Sequence, residues 1–88
     1  MKHASDSALD QLADLLEKLR TQSALTERKR GVFYRRSSAF IHFHEDPGGL
    51  FADLRAASGW ERLPVTTGSE RKAFVARVKH LLANERTR

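Results

Sequence analysis

Two histidines one residue apart are the side chains of this sequence that are best suited to chemistry. His42 and His44 flank Phe43 in a segment rich in aromatic and β-branched residues. If this segment is a β-strand, both imidazoles project from one face, as two metal ligands on a strand must do. Asp53 can supply a third ligand, or it can orient His42 from outside the coordination sphere. His42, His44 and Asp53 are therefore the candidate metal ligands.

The same three side chains have a second interpretation, in which both histidines are half-buried members of a sheet and His42 pairs with Asp53. Nothing else in the sequence completes a catalytic group, because the nearby serine and acidic residues fall in or beside turns. The chain has no cysteine, which excludes a thiolate zinc site and a cysteine nucleophile. We predict no catalytic residue, no bound metal and no cofactor, and we favour a non-enzymatic protein.

Basic residues form the other candidate group. The chain has 16 Lys and Arg against 11 Asp and Glu, a net charge of +5. The excess lies after residue 26, and a basic patch of this kind attracts phosphate groups, although a solvated turn has the same composition. Its members are Arg28, Lys29, Arg30, Arg35 and Arg36.

Apolar residues at helical spacing predict two helices that position these groups. Five leucines form one stripe and predict a helix over 7–22 that begins with Ser7 as its N-cap. Near the end of the sequence, Thr67 and Glu70 form a capping-box pattern, and the apolar stripe after them predicts a second helix over 69–84.

Between the helices the period of apolar residues changes to two. Four runs rich in β-branched and aromatic residues are separated by short turn sequences, and connections this short permit only antiparallel neighbours. The predicted strands are Val32–Arg35, Ala39–Glu45, Leu50–Arg55 and Trp60–Val65. The predicted fold class is therefore α+β, a four-stranded antiparallel β-meander flanked by N- and C-terminal helices.

The register of the middle hairpin assigns side chains to the two faces of this sheet. With a turn at 46–49, Phe43 opposes Ala52 and Ile41 opposes Leu54, which gives an aliphatic face for the helices to cover. Two helices of this length cover one face only, so the other face is left open with its aromatic, histidine and arginine side chains. The open face has nine members: Phe33, Phe40, His42, His44, Phe51, Asp53, Arg55, Trp60 and Arg62.

We predict that this open face is the working surface of an interaction or binding module. Aromatic and arginine side chains are enriched at interfaces, so self-association as a homodimer is the first interpretation. One alternative is binding of single-stranded nucleic acid, because aromatic rings stack on bases and arginines hold phosphates. The other alternative is a metal-dependent enzyme that uses His42, His44 and Asp53.

A resemblance to a known family rests on three short segments. Phe40–Pro47 reads FIHFHEDP, a second strand runs through Asp53, and Gly59 with Trp60 leads to an amphipathic helix. This arrangement resembles the small bacterial luciferase-associated domain family over residues 30–82, although the chain lacks the segment inserted there before the Gly-Trp strand. The resemblance implies a compact α+β domain from a bacterium and implies no reaction, luciferase activity included.

Length and composition limit the number of domains and the class of protein to which the chain can belong. The sequence has 88 residues, with 40% apolar and 31% charged residues, as is usual for a globular protein. We predict a single domain, 1–88, with residues 1–6 and 85–88 as frayed ends. No apolar run is long enough to span a membrane and no secretory signal is visible, so we predict a cytoplasmic protein with no membrane partner.

Overall fold

The chain folds as an α+β structure with an antiparallel sheet and helices near both ends of the sequence. A computed structural model describes residues 2–86, with side chains through residue 83. The elements are β1 (Lys2–His3), α1 (Asp6–Gln11), α2 (Ala13–Arg20), β2 (Leu25–Lys29), β3 (Val32–Arg35), β4 (Ser38–Asp46), β5 (Gly49–Ala56), β6 (Gly59–Pro64) and α3 (Gly68–Arg86).

The sheet has the strand order β2-β3-β4-β5-β6, and β1 pairs with β4 outside this sequence of neighbours. The predicted meander corresponds to β3 through β6, but the predicted strand count of four is wrong, because β1 and β2 belong to the sheet as well. β5 occupies one edge of β4, so β1 and β3 share the other edge. β3 pairs with residues 38–41 of β4 and β1 pairs with residues 44 and 45, so the neighbour changes at His42 and Phe43.

The sequence pattern does not predict β2, because its inward-facing side chains are not both apolar. Leu25 and Glu27 are half-buried while the residues beside them are exposed, which is the alternation of a strand. The Glu27 carboxylate accepts hydrogen bonds from Arg20 Nε at 2.6 Å and from the Gly31 N–H at 2.9 Å. An ion pair thus takes the place of the apolar residue that would have marked the strand.

The N-terminal residues 1–6, predicted to fray, include a strand and the start of a helix. β1 lies against β4, and the Ala4 N–H extends this pairing by donating to the Phe43 carbonyl oxygen at 3.0 Å. Asp6 is the first residue of α1. The prediction of a frayed N-terminus is therefore wrong for residues 2–6, and residue 1 lies outside the described residues.

The first predicted helix, 7–22, is present as two shorter helices that meet at Leu12. Leu12 has φ −96° and ψ 12°, outside helical values, and its side chain is fully buried. The N-cap is Ser5 rather than Ser7, because the Ser5 hydroxyl accepts a hydrogen bond from the Ala8 N–H at 3.2 Å. The leucines on both sides of Leu12 stay buried and face the sheet.

The closing helix is confirmed together with its predicted cap. The Glu70 N–H donates to Thr67 Oγ1 at 3.1 Å, and the Thr67 N–H donates to Glu70 Oε1 at 2.9 Å. α3 extends past the predicted range 69–84, so residues 85 and 86 are helical, whereas residues 87 and 88 of the predicted tail lie outside the described part. None of the described helices has the length and apolar character needed to cross a membrane.

The predicted aliphatic face of the sheet is confirmed. Ile41 lies opposite Leu54 and Phe43 opposite Ala52, in the predicted register. These side chains are at most 3% exposed, and the Phe43 ring lies 6.2 Å from that of Phe74 on α3. The helices therefore pack on this face and leave the other face for the histidines.

A β-bulge overturns one part of the predicted face assignment. Phe33 lies opposite Ile41 rather than Phe40, because β4 carries one residue more than β3 between two consecutive pairs. The extra residue turns Phe40 toward the same side as Ile41. Phe33 and Phe40 are each 1% exposed and belong to the core. The prediction that both lie on the open face is wrong.

Candidate metal centre

Three histidines come together on the side of the sheet that faces away from the helices. His42 and His44 project from β4 to this side, and β1 places His3 opposite His44. The ring centroids lie 4.9 Å apart for His3 and His44 and 5.0 Å apart for His42 and His44. Each residue offers one ring nitrogen such that the three nitrogens lie within 4.8 Å of one another. We call these three residues the histidine cluster.

The donor atoms in and beside the cluster have the spacing of metal ligands. His42 Nδ1 lies 3.0 Å from His44 Nε2, and Asp53 Oδ2 lies 3.0 Å from the same His44 atom and 3.9 Å from His42 Nδ1. One point lies about 2.0 Å from all three atoms, which is the length of a zinc–nitrogen or zinc–oxygen bond. At that point His42 Nδ1 and Asp53 Oδ2 lie on nearly opposite sides of the ion, so tetrahedral coordination by these atoms requires rotation of the side chains.

Asp53 is held by an arginine and contacts a different histidine from the one predicted. It lies opposite His42 in the ladder, as expected, but its carboxylate is nearer to the ring of His44. Arg62 on β6 donates from Nε to Asp53 Oδ1 at 2.8 Å and from Nη2 to Oδ2 at 2.9 Å. These hydrogen bonds hold the pKa of Asp53 below its ordinary value, against the opposing effect of burial. The carboxylate is therefore ionised beside the cluster at neutral pH.

Burial keeps His42 in the form that binds metals. Removal of its ring from water lowers the pKa of His42, and the nearby Asp53 charge only partly opposes this effect. The positive forms of His44 and His3 would lower that pKa further. A neutral imidazole has a free ring nitrogen lone pair, which a metal ligand requires.

His44 has a buried ring nitrogen with no partner. The residue is only 8% exposed, and its Nδ1 has no hydrogen-bond partner in the described part of the chain. A buried polar atom left in this way costs about 1–3 kcal/mol. An apolar residue on β4 would avoid this cost, so packing alone does not explain a histidine here.

Trp60 lies over the outer side of the cluster. Its ring centroid is 4.8 Å from that of His42, and the Arg55 guanidinium carbon lies 5.5 Å from the Trp60 ring centroid. Trp60 is 44% exposed and is the one large apolar side chain of the described residues that is exposed. It is also the only tryptophan of the chain, so its fluorescence reports on the cluster.

No family model, curated protein or solved structure matches this chain. The resemblance to the luciferase-associated domain family therefore stays a prediction. The arguments for a function rest on the geometry of the residues described above.

The other predicted face residues divide into two groups. The first group lies at or next to the histidine cluster and consists of Asp53, Arg62, Trp60 and Arg55. Arg55 pairs with Trp60 and Asp53 pairs with Arg62, as predicted. The phenylalanines form the second group. Phe51 is half-buried opposite His44. With Phe33 and Phe40 in the core, the predicted open face becomes a polar site with a tryptophan at its rim.

The predicted basic patch is not one surface. The Arg28 guanidinium carbon lies 4.5 Å from the Tyr34 ring centroid, and that of Arg35 lies 4.5 Å from the Phe40 ring centroid. Arg30 forms ion pairs with acidic residues of α1, at 2.6 Å to Asp10 and more distantly to Asp6. Arg36 lies in a turn with φ 60°. The remaining member, Lys29, lines a cavity next to the histidine cluster.

We expect Asp53→Asn to lower the pKa of His42 further. The substitution removes the negative charge that favours the protonated imidazole and keeps the shape of the side chain. Proton NMR titration of the metal-free protein measures this shift directly. Glu61→Gln is the matched control, because Glu61 pairs with Arg77 at 2.6 Å rather than with a histidine. An unchanged His42 pKa in Asp53→Asn would show that the carboxylate does not act on this ring.

Proposed function

We propose that this protein binds a divalent transition-metal ion through the histidine cluster of His3, His42 and His44. The observation that carries the proposal is the approach of three imidazole nitrogens to within 4.8 Å of one another. Imidazole nitrogen is the preferred protein ligand of zinc, nickel and copper, whereas magnesium and calcium prefer oxygen. The proposal replaces our expectation of no metal and extends the candidate set by His3.

The charges around the cluster support binding of a cation. Asp53 is ionised and lies within ligand distance of the same point as two imidazoles. Arg62 partly neutralises this charge and fixes the orientation of the carboxylate through two hydrogen bonds. Outer partners of this kind are a regular feature of metal sites because they orient the ligands. Asp53 thus acts beside the three imidazoles, as an additional ligand or as the charged group next to them.

The competing interpretation is a hydrogen-bonded histidine cluster with no ligand. In that case His44 Nε2 donates to Asp53 and shares its proton with His42 Nδ1. His44 Nδ1 stays buried and without a partner among the described residues in both interpretations, because the ring atom beside His42 and Asp53 is Nε2, and this has a net cost to stability. Groups arranged at a cost to stability are typical of functional sites. The metal-binding interpretation gives these positions a reason to be histidine.

Metal titration of the untagged, chelator-treated protein tests the proposal. We expect calorimetry to give one Zn²⁺ per chain, and we expect Ni²⁺ or Cu²⁺ to quench the fluorescence of Trp60, whose ring lies 4.8 Å from that of His42. His3→Gln, His42→Gln and His44→Gln should each lower the affinity at least about 100-fold, since even loss of an outer partner costs about 10–100-fold.

His80→Gln is the matched control, because His80 is the one histidine of the chain outside the cluster and lies on α3. It should bind as the wild type does. His3 is exposed and close to the N-terminus, so His3→Gln keeps the core intact even if His44→Gln unfolds the protein. Binding that all three cluster variants retain, or no binding at millimolar Zn²⁺, would reject the proposed function.

Self-association is our second proposal, and the exposed Trp60 is the observation that favours it. A tryptophan that is 44% exposed and lies beside Arg55 has the composition of an interface centre. The loss of Phe33 and Phe40 from this surface weakens the argument relative to the sequence-based expectation. For the same reason we do not propose nucleic-acid binding, which relied on four stacking aromatic side chains.

A further inference from the structure

A cavity lies beside the histidine cluster, at the place where the neighbour of β4 changes. β3 ends its pairing with β4 at Ile41, and on the β1 side the Ala4 N–H bonds to the Phe43 carbonyl oxygen, so the change of neighbour leaves a gap beside His42. The cavity in this gap has a volume of about 400 Å³, within the usual range for small-molecule sites. His3 and His42 line both this cavity and the proposed metal site.

The remaining wall of the cavity combines apolar surface with unpartnered donors. Its apolar part comes from three elements and includes Leu9, Val32 and Phe43. Lys29 and Tyr34 also line it, and neither the Lys29 ammonium nor the Tyr34 hydroxyl has a hydrogen-bond or ion-pair partner among the described residues. All other charged groups of the wall are already paired, because Arg30 binds the acidic residues of α1, Asp6 included.

We propose that this cavity binds a small organic carboxylate with an apolar body, held between Lys29, Tyr34 and the metal ion of the histidine cluster. This inference rests on the proposed metal binding. Three imidazoles leave at least one coordination position on a divalent ion, and two of them line the cavity. A ligand in the cavity therefore approaches the ion on the side of His3 and His42, and Asp53 is not part of the cavity wall.

The chemistry of the wall selects this class of ligand. A bound divalent ion and Lys29 make the site positive, which favours an anion over a neutral molecule or a cation. The apolar wall favours a ligand with a hydrocarbon or aromatic part over inorganic phosphate, which would leave that wall exposed to water. Tyr34 provides a neutral donor to orient the acid group.

Cobalt-loaded protein allows the metal site and the cavity to be tested separately. Co²⁺ has visible absorption bands that change with its ligands, so they report on a ligand that enters its coordination sphere. We expect benzoate to shift these bands at millimolar concentration, after correction for cobalt and benzoate in buffer. Benzyl alcohol, a neutral molecule of similar shape, and phosphate should bind at least about tenfold more weakly.

Variants of the cavity wall assign the binding site. Lys29→Gln should weaken benzoate binding about tenfold and Tyr34→Phe about threefold, with cobalt affinity unchanged in both. Lys72→Gln on α3 is the matched control, because Lys72 is exposed and lies outside the cavity wall.

The outcomes separate this inference from the proposed function. If cobalt binds but benzoate leaves its spectrum unchanged, the cavity inference is wrong and metal binding stands. If Lys29→Gln leaves the affinity for benzoate unchanged, the ligand binds elsewhere, and this result also rejects the inference. Equal binding of phosphate or benzyl alcohol rejects the carboxylate class. If cobalt does not bind, both proposals fail.

Discussion

Zn²⁺ at 100 times its dissociation constant is expected to raise the free energy of unfolding by about 2.7 kcal/mol. The three imidazoles come from β1 and β4, which lie far apart in the sequence, and only the folded sheet brings them together. The unfolded chain keeps only the His42 and His44 pair within reach of one ion. For a domain of this length, this gain corresponds to a rise in Tm of about 11–22 °C.

Thermal unfolding followed by circular dichroism, with Zn²⁺ or with a chelator, measures this effect. His3→Gln should lose most of the gain in Tm, while His80→Gln should keep it. The gain should also shrink as the pH falls through the pKa of His42, which burial places below the ordinary histidine value, because protons then compete for the ring nitrogens. Equal shifts in His3→Gln and the wild type would mean that zinc does not connect β1 to β4.

The effect of zinc on stability depends on the position of His3 in β1 as well as on the affinity of the cluster for the ion. β1 has only two residues, and a strand of this length is marginal without other contacts. A metal ion shared by His3 and His44 would fasten this strand to the centre of the sheet. Hydrogen exchange at the Ala4 amide, which donates to Phe43, should therefore slow on addition of Zn²⁺.

The central part of the fold was predictable because the residues that determine it lie close together in the sequence. The turn at residues 46–49 fixes the register of β4 and β5, and a period of two then assigns every side chain between them to a face. The positions of His42 and His44 on one face followed from the same rule. The capping box of Thr67 and Glu70 was equally local and marked the start of α3.

The parts that were missed depend on contacts between distant residues. The pairing of His3 with His44 joins residues 41 positions apart, and no local pattern marks a strand of two residues at a terminus. β2 could not be predicted because one of its inward-facing residues is Glu27, which forms an ion pair with Arg20 of α2. An apolar residue at this position would have shown the alternation of a strand. A sequence signal for His3 did exist, since it is one of only four histidines.

The bulge in β4 could not be read from the sequence either. Phe33 and Phe40 are aromatic, and strict alternation assigned both to the side of His42. One extra residue in β4 reverses the assignment, because it shifts the pairing on one edge of the strand and leaves the register with β5 intact. Aromatic residues suit either a core or an interface, so composition did not decide between the two faces.

Phe33→Ala is expected to destabilise the fold by about 3–5 kcal/mol, the usual result of removing a buried phenylalanine. Phe33 is 1% exposed and lies in the core beside Ile41, so its loss leaves a cavity. Trp60→Ala should cost only about 1 kcal/mol, because 44% of that side chain is already in contact with water. If both residues belonged to one exposed interface, both substitutions would instead leave a stable monomer.

Urea denaturation and light scattering on the same samples separate these outcomes. Since a loss of this size approaches the total stability of a small domain, Phe33→Leu provides a folded variant, because it leaves a smaller cavity than Phe33→Ala does. Phe33→Leu should keep the oligomeric state of the wild type, because the residue is not at the surface. Trp60→Ala should lower the solution mass if Trp60 anchors a dimer, and it should leave stability nearly unchanged. A Phe33→Ala variant as stable as the Trp60→Ala variant would contradict the bulge, because it would return Phe33 to the face that carries the histidines.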